Sequence, residues 1–300
     1  MKWMSRFKPT EPEFPLGDAP VMIYALEGFL GAGSASRLAA EHLDPTDGDI
    51  VYSFDIDDYY DYRARRPVMT FNRDHYSDYE APSLHVVRKT DTSDRPYLLL
   101  SGPEPDFRWE QFAEEVHDVV EDFGVSLSLS MGAVPMGVPH TRPLMITSHG
   151  TRPELIDRKN LWDAQVMVPS SAMSLVEYRL GQHGHDAAGY VVHVPHYLAQ
   201  VDFPTASIAL LDAVGERTGL RFDLDALRLR QASALGDIET QIREQDGGSL
   251  LAGLEEQYDA FTRGATDSLL ASDESIPDGD ELGRQFEQFL ASQDNKDDRD

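Results

Sequence analysis

Hydrophobic positions along the chain fall into short apolar runs separated by stretches of helical spacing. The first run, Val21, Met22, Ile23, Tyr24, Ala25 and Leu26, predicts a strand. Glu27, Gly28, Phe29, Leu30, Gly31, Ala32 and Gly33 interrupt it, and residues 34–42 then suit a helix. Similar runs predict strands at 49–55, 84–90, 97–101, 125–131, 144–148, 164–168 and 189–194. Residues 108–121 carry Trp109, Phe112, Val116, Val119 and Val120 on one helical face, and further helices are expected at 171–182 and 206–218. Strands alternating with helices imply an α/β fold with a mainly parallel sheet covered on both faces.

Three regions depart from that alternation. Residues 1–19, with Pro9, Pro12 and Pro15, read as an extended lead-in. Residues 57–80, rich in Tyr, Arg and Asp, read as a long excursion between the second and third strands. Beyond Thr218 the pattern is helical only, at 224–235, 238–245, 250–261 and 281–290. The expected organisation is therefore an α/β core over 20–218, a helical appendage over 219–264 and an acidic tail over 265–300. That tail is either solvated or an arm whose Leu282, Phe286, Phe289 and Leu290 enter a partner's groove.

Composition narrows the function classes. The 300 residues carry 53 acids against 26 bases, a formal net charge of −27, which argues against nucleic acid or an anionic membrane as partner. The absence of cysteine removes disulfides, thiolate nucleophiles and thiolate zinc sites, and fits a reducing cytoplasm. No apolar run approaches the roughly 18 residues of a membrane helix, so a cytoplasmic chain is expected.

Several segments together resemble the proteasome assembly chaperone 2 (PAC2) family in its actinobacterial form. They are Glu27, Gly28 and Phe29 with Gly31 and Gly33; Arg65, Arg66 and Pro67; and Gly102, Pro103, Glu104 and Pro105 with Trp109 and Phe112. Val138 to Pro143, Val194 to Tyr197, and Leu254, Glu255, Glu256 and Tyr258 complete the set. The resemblance implies a three-layer α/β/α fold of nucleoside-phosphorylase or hydrolase type with a C-terminal helical appendage. It also implies homo-oligomers, with a trimer as the expected size, and a non-enzymatic role in binding or assembling a protein client. Two departures matter. Val168, Pro169, Ser170, Ser171 and Ala172 stand where relatives tend to carry a Tyr, Glu, Gly, Pro type turn. The chain closes on Asp298, Arg299 and Asp300, so docking to a proteasome ring through the tail is not expected.

Residues with chemistry cluster at strand ends, where open α/β sheets gather ligands. Glu27 is either a general base or a carboxylate satisfied by turn amides. Gly28, Phe29, Gly31 and Gly33 would let backbone N–H groups converge on an anion. His140, Thr141 and Arg142, bracketed by Pro139 and Pro143, present an imidazole, a hydroxyl and a guanidinium. With Glu27 they could form a phosphorolysis-like site for a phosphorylated or carboxylated metabolite, joined by Ser101 and His196; a structural role is the alternative. Tyr59, Tyr60, Tyr62, Arg63, Arg65 and Arg66 have the composition of a subunit contact. Asp55 mimics the acid that holds a dinucleotide ribose, but the third glycine of that pattern is missing. His183 with His185, and His193 with His196, have no acidic ligand fixed beside them in the sequence, so neither a metal nor another cofactor is expected.

Overall fold

Alternation along β1 (Val21–Glu27) sets the two cores of the molecule. Met22, Tyr24 and Leu26 join one buried cluster, whereas Ile23 and Ala25 join the other, as the two-residue period of a strand requires. The computed structural model describes residues 20–44, 49–156, 165–244 and 247–267. After β1 come α1 (Ala35–Leu43), β2 (Asp49–Ser53), α2 (Ile56–Tyr59), β3 (Thr70–Asn72), β4 (His75–Ser77) and β5 (His85–Thr90). They are followed by β6 (Pro96–Pro103), α3 (Trp109–Asp122), β7 (Leu127–Met136), β8 (Ile146–Gly150) and α4 (Ala172–Gln182). The chain continues through β9 (Ala187–Pro195), α5 (Pro204–Thr218), α6 (Asp225–Glu244) and α7 (Gly248–Asp267).

Among the described residues seven strands form one sheet in the order β2-β5-β6-β1-β7-β9-β8. β6, β1, β7 and β9 run parallel, and β5 and β8 pair antiparallel to β6 and β9. Residues of α1, α5 and α6 pack on the Ile23 side, and those of α3 and α4 on the Met22 side, which completes three layers. Burying a side chain the size of Leu or Phe contributes about 1.5–3 kcal/mol, against about 0–1 kcal/mol for an exposed ion pair. The two apolar layers, rather than the many surface pairs, therefore hold the fold.

The structure departs from the sequence pattern in two places. No strand forms over the described part of 164–168; the backbone is irregular from 165 to 170, with Val166, Met167 and Val168 exposed at 63%, 101% and 74%. Three apolar residues before Pro169, which lacks a ladder donor, are too few to secure a place in the sheet. The two helices expected at 224–235 and 238–245 are one, α6. Gly236 costs about 1 kcal/mol inside a helix, less than Leu227 and Ile238 gain by burial on either side of it. α6, the first helix of the C-terminal helical region, thereby packs on α5. The 57–80 excursion holds α2 and a separate hairpin of β3 and β4. The chain divides into compact units of residues 1–255 and 256–300, and of the second the described part is the later turns of α7. The 1–19 lead-in and the 281–290 helix lie outside the described residues.

Candidate functional site at the carboxyl rim of the sheet

The parallel strands β1, β6, β7 and β9 end on Glu27, Pro103, Met136 and Pro195, so the glycine turn and the proline-bracketed loop both follow strand ends of one rim. At the β1 end the anion expected by the glycine turn is supplied by the chain itself. Phe29 N–H donates to Glu104 Oε2 at 2.8 Å, and Ala172 N–H, at the start of α4, donates to Glu104 Oε1 at 2.7 Å. One carboxylate thus occupies the turn and a helix N-terminus together, with the sign the helix dipole favours. Gly28 makes room for it, since a Cβ there would stand 2.0 Å from Glu104 Oε2. Gly33 is structural too. It sits at φ 64°, its N–H donates to Ala199 O, and its own carbonyl accepts from Phe203 N–H. Gly31 O accepts from Ser34 N–H.

Beside this turn lies an open cleft of about 580 Å³ whose lining includes Glu27, Arg37, Tyr60, Arg65, Arg66 and Glu80. Its guanidiniums are largely spoken for. Arg37 reaches Glu41 and Asp202 at 2.6 Å each and Glu27 at 3.8 Å. Arg65 donates to Glu104 O at 2.8 Å and to Asp106 at 2.5 Å, and lies 4.5 Å from the centre of the Tyr60 ring. Arg66 is exposed. Ser101 is buried on β6 and borders a smaller cleft of about 260 Å³ that also touches Glu27.

His140, Thr141 and Arg142 do not line the cleft around Glu27. The Tyr197 hydroxyl accepts from His140 N–H at 3.0 Å and lies 2.7 Å from His140 Nδ1. Having accepted one proton, it has its own to give to Nδ1, which requires a neutral imidazole. Burial pushes the His140 pKa down, with Glu239 and Glu255 opposing, so the neutral form is favoured. Thr141 Oγ1 donates to Glu255 Oε1, and Arg142 Nη1 stands 3.2 Å from the same oxygen. His196 stacks edge-on against Tyr197, ring centres 5.4 Å apart. The proposed meeting of Glu27 with His140 and Arg142 is therefore not built, because Glu255 on α7 and Tyr197 hold that loop elsewhere.

The Tyr and Arg segment divides. Tyr59 is a core residue, 1% exposed, packed on Phe54 and Phe112 with its hydroxyl on Glu115 at 2.9 Å. Its burial removes it from any subunit contact. Tyr62 donates to Asp57 at 2.8 Å, and Arg63 and Arg66 are exposed. Asp55 is the N-cap of α2, accepting from Asp57 N–H, which accounts for it without a ribose. Ser171 caps α4 in a capping box with Ser174, so the departure at 168–172 still starts a helix.

Glu104, Tyr197 and Glu255 are the residues that organise the rim, and the sequence reading assigned none of them a role. Each sits in a segment that carries the family resemblance, yet only folding shows which distant amide, ring or guanidinium it meets.

This geometry defines a class: a three-layer α/β protein whose strand-end loops are held by its own carboxylates and hydroxyls. The PAC2 family model matches residues 25–245, and the chain belongs to the PAC2 family. Among solved structures it is similar to Rv2714 of Mycobacterium tuberculosis, a protein of unknown function. They share 42% identity over 86% of this chain and 90% of that one, with a TM-score of 0.80. A Corynebacterium glutamicum protein of unknown function is 35% identical over 85% of this chain and 95% of its own, TM-score 0.79. The M. tuberculosis proteasome-assembly chaperone homologue Rv2125 is 25% identical over 74% of this chain and 95% of its own, TM-score 0.68. Comparison with curated proteins finds no match.

Proposed function

We propose that this chain is a non-enzymatic, chaperone-like assembly factor of the cytoplasm that works as a homo-oligomer. Similarity to Rv2125, named a proteasome-assembly chaperone homologue, supports the chaperone-like role. One observation carries the non-enzymatic reading: His140 and Arg142, two of the three groups that looked catalytic, are engaged within the chain away from Glu27, and the anion position of the glycine turn is filled. Glu104 fills the anion position, Tyr197 takes His140, and Glu255 takes Thr141 and Arg142. The described residues contain no helix long and apolar enough to cross a membrane, which agrees with a protein-binding role away from lipid.

The contact surface on this reading is the outer part of the 57–80 excursion. Val68, Met69, Phe71, Tyr76 and Tyr79 are exposed there, Phe71 and Tyr76 as a cross-strand pair 5.0 Å apart. Residues 57–80 also carry Arg63, Arg65, Arg66 and Arg73, interleaved with six acids. Arginines among exposed aromatic rings have the composition of a subunit contact, and head-to-tail contacts of that kind close into rings, a trimer here. Light scattering on the purified chain tests this. A trimer is expected, falling to monomer in Arg63→Glu/Phe71→Ser; a monomeric parent chain would refute the homo-oligomer. Mild co-purification from native cytosol should recover a stoichiometric protein partner, and a consistent lack of one counts against the assembly role. A specific thermal shift with nucleosides or phosphorylated metabolites would instead favour a ligand in the Arg66 cleft.

A further inference from the structure

His117 and Glu121 lie four residues apart on α3, which puts both on one face of the helix. The loop between α4 and β9 brings His185 to them, and the ligand-type atoms of His117, Glu121 and His185 all lie within 4.8 Å of one another. The expectation that no acidic group is fixed beside the 183–185 pair is thus corrected, since Glu121 Oε1 stands 2.8 Å from His185 Nε2. That nitrogen is buried and makes no hydrogen bond, so the close approach to Glu121 is off the line a ring N–H would need. A buried, unbonded imidazole nitrogen beside a carboxylate is what a cation would use.

The positions are fixed by the backbone rather than left to chance. α4 ends in a Schellman pattern: Gly184 has φ 84°, and His185 N–H donates back to Leu180 O at 2.9 Å. Asp186, the next residue, is gripped by Arg152, whose Nε donates at 2.6 Å, and the two rings of His117 and His183 stack at 4.2 Å. Tetrahedral zinc with bonds of about 2.0–2.1 Å needs donors roughly 3.3–3.4 Å apart, so the 4.8 Å spread closes by small side-chain rotations.

We infer that His117, Glu121 and His185 form a site for a divalent transition-metal ion of the zinc class. Two imidazoles and one carboxylate are the donors this class prefers over magnesium or calcium. Glu121 is exposed, so the fourth position is open to water, and the strong negative charge of the chain raises the local cation concentration. Bound metal would tie the last turn of α3 to the entrance of β9.

Calorimetric titration of the chelator-treated full chain with zinc chloride tests the site, with cobalt(II) as a spectroscopic reporter. One saturable zinc per chain and a tetrahedral cobalt absorption are expected. His117→Ala and His185→Ala should each weaken binding about tenfold or more, and Glu121→Gln, at an exposed position that leaves folding intact, should do likewise. His75→Ala, on the distant hairpin, should leave the affinity unchanged. Absence of saturable binding, or affinity indifferent to Glu121→Gln and His185→Ala, overturns the assignment.

Discussion

The two halves of the rim solve the same problem differently. At the ends of β1 and β6 a side-chain carboxylate, Glu104, is sent into a glycine turn and onto a helix N-terminus, and an open cleft remains beside it. At the ends of β7 and β9 a rigid loop is held by a hydroxyl on one side and by Glu255 of α7 on the other. The first half is organised by a carboxylate meeting backbone amides; the second by the Tyr197 hydroxyl and by a carboxylate shared between a hydroxyl and a guanidinium. Features that look like a binding site in isolation can thus be self-satisfied, and the difference lies in where the partner comes from in the sequence.

The largest expected effect concerns the layer beneath the β7/β9 half. His193 is 2% exposed, its Nε2 lies 2.9 Å from Thr147 Oγ1, and burial pushes its pKa down to about 4. The unfolded chain takes up the proton first, near pH 6.5. Stability is therefore intact above pH 6.5 and falls as pH drops towards 4, by about 3 kcal/mol from this group. Urea unfolding across that range should show the loss, and His193→Asn should flatten that share of it; equal slopes in both chains would remove His193 from the account.

Glu104→Ala comes next, because it strands two amides that now meet a charge, and a loss of about 2–3 kcal/mol is expected. Glu104→Gln, which keeps an acceptor, should lose less. Gly28→Ala forces the Glu104 carboxylate aside and should lose about 1–3 kcal/mol. Combined with Glu104→Ala its effect should shrink, since the carboxylate is gone, but not vanish, because the Cβ of residue 104 stands 2.5 Å from the added one; fully additive losses in the double variant would separate the two residues. The smallest effect is expected in the other half, where Tyr197→Phe removes the hydroxyl bonded to His140 and should lose about 1 kcal/mol in chemical unfolding. A loss there as large as that of Glu104→Ala would erase the distinction between the halves.

Much of the fold was legible along the chain. β1, its glycine turn, α3 with Phe112 and Val116 inward, and the run of parallel strands all follow from local period and turn residues, which act between near neighbours. The strand expected at 164–168 failed because an apolar run says nothing about whether a sheet edge is available to it. The break expected between 235 and 238 was overridden by burial of Leu227 and Ile238. For the site, the loops at the strand ends were visible, but the contacts of Glu104, Tyr197 and Glu255 were not. Nor was the approach of Glu121 to His185.

What the amino-acid sequence determined by itself is the alternation that builds the layers and the turn chemistry that ends the strands, because both depend on residues within a few positions of one another. Which carboxylate answers the glycine turn, which helix meets the proline-bracketed loop and which histidines share a space were decided only by tertiary structure. Those contacts join residues 57 to 114 positions apart, and a side chain's partner at such range is chosen by how the layers stack, not by the residues beside it.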